Sequence, residues 1–291
     1  MQFHEFSYAN AEQPRLKRWV IRSVEGLSGR NQYFALYNIW RHEIVPTGER
    51  VFGRMLELIN VRLGLTQQWP PQKLPEGPLV LLANHPFGIG DGVAILALAE
   101  TLNRPFKVLI NKDLMKIPEM APYSLPVSFD ETKEALAQNL KMRHEAVRLL
   151  KAGVTIVVFP AGGVATARKV FGRAEDLPWK IFPAKLIQAA GASVLPIHFS
   201  GQNGRLFHLA SKISLTLRLS LLVHEFGRLT GKSIGVTIGD VLPWSQLSQI
   251  SDRKLLLKKL HSAVFDLEVP ERRNRVRLAF DNLNINFATS H

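Results

Sequence analysis

The chain has 291 residues, of which 46% are hydrophobic, and this composition is that of a globular protein rather than a disordered one. It contains no cysteine, which excludes a thiol nucleophile, a thiolate zinc site and a disulfide framework. The 37 Lys and Arg residues outnumber the 24 Asp and Glu residues and give a formal net charge of +13, so the expected partners are anionic: phospholipid headgroups, nucleic acid or acidic carrier proteins.

The start of the chain does not have the pattern of a targeting segment. It lacks a basic stretch followed by an apolar one, so we expect no signal peptide. No apolar run reaches the roughly 18 residues that a transmembrane helix requires, so we expect none. If the protein meets a membrane, we expect a peripheral contact.

Residues 14–45 predict amphipathic helices. At about 100° per residue, apolar side chains such as Trp19 gather on one arc, and basic side chains such as Arg18 and Arg22 lie on the other. Basic helices with aromatic side chains bind membrane interfaces, with Trp19 and Trp40 as anchors, although such helices also pack against their own domain. The two roles are compatible.

A proline-rich connector, residues 66–78, precedes an alternation of strands and helices. Apolar runs bounded by turn residues predict strands at Leu79–Ala83, Phe106–Ile110, Val154–Phe159, Ser193–Phe199 and Ser233–Ile238. Periodicity and capping signals predict helices at Gly92–Leu102, Glu131–Lys151 with Asp130 as its N-cap, Trp179–Ala190 and Ser251–Leu267. This alternation predicts an α/β fold whose mainly parallel, twisted sheet is flanked by helices.

The motif NHPFGIGDG, residues 84–92, directly follows the first predicted strand. Ligands bind outside the carboxyl ends of parallel strands, so His85 and Asp91 are well placed for chemistry. His85 is a candidate general base for a hydroxyl, with Asp91 orienting its imidazole. Six positions along a regular helix or strand would separate the two side chains, but a compact loop built by Gly88 and Gly90 could bring them together.

Three alternatives stand beside this interpretation. The glycines of the motif resemble a dinucleotide-binding loop, but their G-x-G-x-G spacing does not meet the G-x-G-x-x-G fingerprint. Taken alone, His85 also fits a hydrogen-bonded turn residue. His198, on a later predicted strand, is an alternative base, although no carboxylate lies near it in sequence.

NHPFGIGDG resembles the first block of the glycerolipid acyltransferase superfamily, which includes 1-acylglycerol-3-phosphate acyltransferases. The commoner pattern has four residues between His and Asp, whereas this sequence has five. The longer form is similar to the branch of hemolysin-like and lyso-ornithine lipid acyltransferases. The segments DLPW at 176–179 and SGQNGRLF at 200–207 also resemble that branch, so the resemblance covers most of the chain.

The second block of the family corresponds to INKDLMKIP, after the second predicted strand. In the family this region lines the acceptor site, which implies that Asn111 and Lys112 reach a polar or anionic headgroup. As bare sequence, the two residues fit a solvated helix start equally well. The fourth block is VLPIHF, and the family's apolar-proline motif places Pro196 on its strand.

The third block, FPAGGVATAR, departs from the commoner form F-P-E-G-T-R, whose Glu and Arg are associated with a glycerol-phosphate acceptor. Here Ala161 and Val164 occupy those positions, and Arg168 could substitute only in part. A phosphate would lose its bidentate guanidinium partner, which favours an acceptor without a terminal phosphate. Gly162 and Gly163 still allow backbone amides to bind an oxyanion.

The resemblance implies an O-acyltransferase that moves a fatty acyl group from acyl carrier protein or acyl-CoA to a hydroxyl of a lysolipid, expected to be lyso-ornithine lipid or a related aminolipid. We expect it to act at an anionic membrane, as a peripheral protein on the cytoplasmic face of the inner membrane. We divide the chain into an N-terminal helical membrane-docking region (1–65), the connector (66–78) and an α/β acyltransferase domain (79–291). The implied catalytic residues are His85 and Asp91. The implied substrate-binding residues are Asn84, Gly88, Asn111, Lys112, Phe159, Pro160, Gly162, Gly163, Arg168 and Pro196.

Two other functions stay open. One is the same chemistry on lysophosphatidic acid, as in a 1-acylglycerol-3-phosphate O-acyltransferase. The other is a non-enzymatic basic module for membranes or nucleic acid, which the ordered catalytic blocks argue against. The sequence contains neither a P-loop nor a Glu-bearing His pair at i, i+4, so we expect no metal site and no nucleotide hydrolysis. For the acyltransferase we also expect no cofactor and no nucleic-acid partner.

Overall fold

The computed structural model describes residues 30–128, 132–169, 172–213, 218 and 221–268. In this part of the chain, no helix combines the length and the apolar character needed to cross a bilayer. The α/β prediction is confirmed, because helices flank a mostly parallel sheet of seven strands.

Among the described residues, nine strands form a large sheet and a small hairpin. Their bounds are β1 Arg62–Leu65, β2 Leu79–Ala83, β3 Phe106–Asn111, β4 Ser124–Val127, β5 Thr155–Val158, β6 Thr166–Ala167, β7 Ala174–Glu175, β8 Ser193–Ser200 and β9 Ser233–Ile238. The large sheet has the order β1-β9-β8-β2-β5-β3-β4, and β6 pairs with β7 separately. Neighbouring strands are parallel except β8 and β9, so β1 and β9 run opposite to the other five.

Helices cover both faces of this sheet. Their bounds are α1 Arg30–Ile39, α2 Val51–Leu58, α3 Ile89–Glu100, α4 Lys133–Lys151, α5 Phe182–Ala190, α6 Arg205–Ile213, α7 Leu222–Gly227, α8 Trp244–Leu247 and α9 Arg253–Phe265. A π-helical turn, Trp40–Ile44, continues α1, and 3-10 turns lie at Val45–Thr47, Lys112–Lys116 and Pro118–Tyr123. One core contains α1, α2 and α3, and the core on the opposite face contains α4, α5 and α9.

Strand β2 lies at the centre of the molecule. Its five residues have no exposed surface, as the continuous apolar run in the sequence predicts. Alternate side chains enter the two cores: Leu81 packs with α3, while Val80 and Leu82 pack on the opposite face. Strand β2 is therefore packed on both faces, and the loop at residue 84 begins from a fixed position.

The observed helix ends differ from the predictions in an informative way. Helix α3 begins at Ile89 rather than at the predicted Gly92, which places Asp91 in its first turn. Helix α4 begins at Lys133, where the Thr132 hydroxyl caps it by accepting a hydrogen bond from the Ala135 amide. The predicted cap, Asp130, lies outside the described residues.

The described part of the N-terminal region belongs to the core. Trp40 is 1% exposed and its indole nitrogen donates to the Val51 carbonyl oxygen at 2.8 Å. Our prediction that Trp40 anchors a membrane is therefore wrong, because burial leaves no indole surface for a bilayer. Arg18, Trp19 and Arg22 lie outside the described residues.

The last four residues of the predicted N-terminal helical region, 62–65, form a strand and not a helix. They form β1, in which Arg62 pairs with Ser233 and Leu65 pairs with Val236. Local sequence patterns do not reveal this short strand, because its partner β9 begins only at Ser233. The segment before residue 66 is therefore joined to the main sheet by a hydrogen-bonded ladder.

Candidate active site

The predicted site residues follow three neighbouring parallel strands. His85 follows β2, Phe159 follows β5, and Asn111 ends β3, and these strands are adjacent in the order β2-β5-β3. The carboxyl ends of parallel strands meet at one edge of a sheet, which is where ligands bind in open α/β folds. The structure thus brings the first, second and third blocks to the same edge.

His85 and Asp91 form a hydrogen-bonded pair. Nδ1 of His85 lies 2.8 Å from Oδ1 of Asp91, and the Asp91 side chain is completely buried. The second carboxylate oxygen, Oδ2, accepts a hydrogen bond from the Phe87 amide at 2.7 Å. With both oxygens engaged, the carboxylate holds the imidazole at a fixed angle and favours the tautomer with its proton on Nδ1.

Two glycines permit the turn between this pair. Gly88 has φ +82°, a conformation that strains other residues, and a side chain there would lie 2.9 Å from both Val164 and Leu222. A Cβ at Gly90 would lie 2.4 Å from Leu229. The chain therefore turns tightly into α3, whose N-terminal dipole stabilises the carboxylate of Asp91 in its first turn.

The rest of the His85 residue is fixed from three sides. Its ring stacks on Phe159 with centroids 4.1 Å apart, its amide donates to Oδ1 of Asp176 at 3.1 Å, and its carbonyl accepts from the Ala165 amide at 2.8 Å. Nε2 has no hydrogen-bond partner among the described residues, and 17% of the side chain is exposed. Nε2 is therefore the atom available to a reacting hydroxyl.

Opposing effects set the pKa of His85. Burial lowers it, but the charge and hydrogen bond of Asp91, together with the charge of Asp176, raise the pKa above its ordinary value. The guanidinium of Arg218 acts in the opposite direction. The imidazole is thereby poised as a base whose protonated form is stabilised by neighbouring carboxylates.

Asp176 was not predicted as a site residue, yet it supports the base directly. Besides the His85 amide, it accepts a hydrogen bond from the Trp179 indole nitrogen at 3.0 Å. Burial raises the pKa of Asp176, while these hydrogen bonds lower it in part. The sequence contained one signal, the segment DLPW, which begins with Asp176. Local patterns could not predict its contact with the first block, because Asp176 and His85 lie 91 residues apart in the chain.

The third block forms a tight loop beside the base. Gly162 has φ +67° and its amide donates to the Phe159 carbonyl oxygen at 3.0 Å, while the Pro160 carbonyl accepts from the Lys180 amide at 2.9 Å. A Cβ at Gly163 would lie 3.0 Å from Leu177, so a larger residue would crowd the loop. The loop thus folds back on the main chain of Phe159, the residue whose ring stacks on His85.

Arg218 is a second residue that the sequence analysis missed. Its Nη2 donates to the Val164 carbonyl oxygen at 2.6 Å, and its guanidinium lies 5.7 Å from the ring centroid of Phe207. Burial lowers the pKa of Arg218. A guanidinium thus approaches the third block from a distant part of the chain, although the block itself lacks the family's arginine.

Several predicted binding residues lie elsewhere or act differently. Asn84 joins β2 to β8, because its side-chain amide donates to the Phe199 carbonyl and its oxygen accepts from the Phe199 amide. Pro196 is buried within β8 and pairs with Leu82, so its predicted contact with substrate is replaced by a packing position. Arg168 is 89% exposed and lies 3.4 Å from a carboxylate oxygen of Glu175.

The remaining candidates are Asn111 and Lys112, which lie at the edge of the sheet that carries His85, and His198, which does not fit the role of the base. Asn111 is half-buried and Lys112 is exposed at the end of β3, on the edge that carries His85. Burial lowers the pKa of His198 to about 4, and its ring lies against Phe265 on the other side of the sheet, which argues against it as the base. Within the described ranges, no group of three or more His, Asp or Glu residues could hold a metal ion.

A mostly parallel sheet with a hydrogen-bonded His–Asp pair at its carboxyl edge is the arrangement of an α/β enzyme that uses a histidine base. The sequence pattern of the acyltransferase family matches residues 66–251, more than half of the chain, and the chain belongs to this family. The predicted membership of the glycerolipid acyltransferase superfamily is confirmed.

Two curated relatives are both named lyso-glycine lipid O-acyltransferase. The protein from Phocaeicola vulgatus is 29% identical over 186 residues, covering 60% of this chain and 62% of that protein. The protein from Bacteroides thetaiotaomicron is 30% identical over 186 residues, covering 60% of this chain and 64% of that protein. The chain spans less than two thirds of the length of these relatives.

The fold is similar to a solved structure. The crystal structure of the 1-acyl-sn-glycerophosphate acyltransferase PlsC from Thermotoga maritima superposes with a TM-score of 0.51 at 16% identity. The match covers 93% of this chain and 99% of that chain. At this identity the likeness concerns the fold.

Proposed function

We propose that this protein transfers a fatty acyl group from a thioester donor to a hydroxyl of a lysolipid. The observation that carries the proposal is the buried Asp91 bonded to Nδ1 of His85, which leaves Nε2 as the available base. Both relatives carry the name of a lysolipid O-acyltransferase, which supports the same reaction class. A merely structural histidine would not require a buried carboxylate, a stacked ring and an available Nε2 together.

The proposed reaction needs no covalent intermediate on the protein. The acceptor oxygen attacks the thioester carbonyl carbon while Nε2 of His85 takes the hydroxyl proton, and Asp91 stabilises the resulting imidazolium. The tetrahedral intermediate then collapses, the C–S bond breaks, and the leaving thiolate takes the proton from the imidazolium. An ester and a free thiol result, and His85 is restored.

The oxyanion of that intermediate requires donors near the base. The Gly162 amide is already bonded to the Phe159 carbonyl, whereas the Gly163 amide has no backbone partner among the described residues. We therefore assign Gly163 as the oxyanion donor, and one such donor contributes about 10²–10³-fold to the rate in enzymes of comparable design.

The proposed acceptor is a lyso-aminolipid, such as lyso-ornithine or lyso-glycine lipid. Ala161 and Val164 replace the family's Glu and Arg, and the exposed Arg168 is paired with Glu175, so the third block offers no bidentate partner to a phosphate. Both relatives are named for a lyso-glycine lipid. The donor is acyl carrier protein or acyl-CoA, and both are acidic enough to suit a protein of charge +13.

A panel of acceptors tests this function. We expect purified enzyme with either donor to acylate a lyso-aminolipid at least about tenfold more efficiently, in kcat/KM, than lysophosphatidic acid. In a folded His85→Ala variant, transfer to every acceptor should fall by about 10²–10⁴-fold or more, since general-base catalysis alone supplies that factor. Near wild-type rates in this variant would contradict the chemistry.

The alternative function is that of a 1-acylglycerol-3-phosphate O-acyltransferase. The same panel of acceptors distinguishes it from a lyso-aminolipid acyltransferase. A clear preference for lysophosphatidic acid with an intact effect of His85→Ala would leave the chemistry standing and overturn only the acceptor. Arg218 and Lys112 would then be the residues to examine for phosphate binding.

A further inference from the structure

Helix α6 presents an unusual outer face. Leu206, Leu209 and Ile213 are 56%, 42% and 68% exposed, and they stand at positions i, i+3 and i+7. At about 100° per residue they fall within an arc of about 60°. Among the described residues, seven large hydrophobic side chains are exposed, and three of them share this one nine-residue helix. Scattered exposed leucines are ordinary, whereas a contiguous stripe marks an interaction surface.

The inner face of the same helix adjoins the catalytic loops. Phe207 is completely buried and packs with Val164 of the third block and with Leu222 of α7. The neighbouring His208 accepts a hydrogen bond at Nδ1 from the Ala167 amide. The apolar stripe is therefore the outside of an element whose inside packs against the third block, next to His85.

Charged residues border the stripe on one side. Arg205 and Lys212 are exposed and lie on the arc next to Leu209, and α6 contains no acidic residue. Long basic side chains keep their charge at the headgroups while their stems cover apolar surface. An apolar stripe with a basic border is the pattern of a helix lying in an anionic lipid interface.

We propose that α6 lies in the membrane interface and inserts Leu206, Leu209 and Ile213 among the acyl chains, beside the site around His85. The choice of a bilayer rests on the proposed function, because a lysolipid acceptor with a long acyl chain resides in a bilayer. An acidic carrier protein would match Arg205 and Lys212 but would leave the three large aliphatic side chains without a complementary partner. In this orientation, the third block and His85 lie next to the source of the acceptor.

Vesicle binding tests the inference without any requirement for activity. The full chain carrying both Leu209→Ser and Ile213→Ser is compared with wild type by co-sedimentation with phosphatidylglycerol vesicles, without acyl donor. The matched control carries Leu136→Ser and Leu140→Ser, which remove two leucines that are 66% and 46% exposed on α4, a helix that packs in a different hydrophobic cluster from α6. We expect about tenfold weaker binding for the α6 variant and no change for the control.

A second measurement keeps the inference testable if the serine variant fails to fold. With Leu209→Trp, tryptophan emission should shift to shorter wavelength on addition of vesicles, and brominated acyl chains should quench it beyond the wild-type response. The proposal would be overturned if the folded serine variant bound vesicles as tightly as wild type. It would also be overturned if the control lost as much vesicle affinity as the α6 variant. A Leu209→Trp signal that changes only with acidic carrier protein, or a change from dimer to monomer in the serine variant, would overturn it as well.

Failure of this inference is distinguishable from failure of the proposed function. A serine variant that binds vesicles normally while His85→Ala abolishes transfer would leave the chemistry intact and remove α6 as the membrane contact. Loss of vesicle binding in an enzyme without transferase activity would support the membrane contact alone.

Discussion

At the scale of single residues, the balance of charges around His85 determines when it can act. Burial alone favours a neutral imidazole, whereas Asp91 and Asp176 favour the imidazolium and raise the pKa above its ordinary value. A general base works in its neutral form. The rate of transfer should therefore increase with pH as His85 loses its proton, and the increase should lie at higher pH than for an unperturbed histidine.

Replacing Asp91 with Asn isolates this effect. Removal of the charge lowers the pKa of His85, so the acidic limb of the pH–rate profile should move to lower pH. The maximal rate should fall by about 10²–10⁴-fold, because the imidazole loses its orientation and the stabilisation of its cationic form. Profiles of kcat and kcat/KM on purified enzyme measure both.

The matched variant is Asp176→Asn. Its charge also raises the pKa of His85, but it makes no hydrogen bond to the ring, so the limb should move in the same direction by a smaller amount. An acidic limb that stays in place in Asp91→Asn would show that His85 is not the titrating base.

The sequence predicted part of this site because its chemistry is local. His85 and Asp91 lie six residues apart, and glycines between them signal a compact turn. Asp176 and Arg218 reach the same place from distant segments, and no spacing in the sequence encodes those contacts. Arg168 is near in sequence but pairs with Glu175 on the small hairpin.

At the scale of elements, the junction of β2 and α3 positions the chemistry. The sequence predicted β2 from its continuous apolar run, but it placed the start of α3 at Gly92. The helix begins at Ile89 because the positive φ of Gly88 completes the turn early, and Asp91 then satisfies the Phe87 amide from within the first helical turn. The earlier start is what brings the carboxylate back toward His85.

The π-helical turn after α1 contains Trp40, and we expect this side chain to contribute strongly to the free energy of unfolding. Trp40 is 1% exposed and its indole hydrogen bond to Val51 lies inside the core, so Trp40→Ala should lower the free energy of unfolding by about 3–5 kcal/mol. Ile39→Ala, at a neighbouring position that is 37% exposed, is the control and should cost well under half as much. Urea denaturation measures both, and equal losses would contradict the packing role of Trp40.

Short elements and long-range pairing account for the other differences. β4 has four residues and contains a proline, so its apolar run is too brief to predict a strand. The sequence predicted β9 with its observed bounds. Alternation of strands and helices favours a parallel arrangement, whereas the antiparallel pairing of β9 with β8 is set by tertiary context. The sequence analysis did not predict α6 as a helix. Its first residues were part of the motif SGQNGRLF, and the rest of the helix was not interpreted.

At the scale of the whole molecule, the net charge of +13 and the stripe on α6 support one orientation on a membrane. If the proposed membrane contact is correct, we expect the positive surface to attract the protein to an anionic leaflet and apolar insertion to fix it there. We expect the N-terminal basic residues Arg18 and Arg22 to add to this attraction. Residues 30–44 have a different role, since they include the core residue Trp40.

This division decides how the N-terminal contribution should be tested. Deleting residues 1–45 would remove part of the core together with the basic residues, so its effect on membrane binding would be ambiguous. Substitutions in the full chain avoid that ambiguity. The test variant carries Arg18→Glu and Arg22→Glu, and the control carries Lys141→Glu and Lys151→Glu, which change the net charge equally on exposed positions of α4.

Each basic side chain near an anionic leaflet contributes about 1 kcal/mol, so loss of two should weaken vesicle binding by about 30-fold or more at low salt. The difference between variant and wild type should shrink as salt is raised, because screening acts over a Debye length of about 8 Å at physiological ionic strength. Co-sedimentation with phosphatidylglycerol vesicles over a salt series measures this. If test and control lost the same affinity, the attraction would depend on total charge alone. If the test variant bound as wild type at every salt concentration, the residues that contact the membrane would lie outside the N-terminal segment, and α6 would carry the contact by itself.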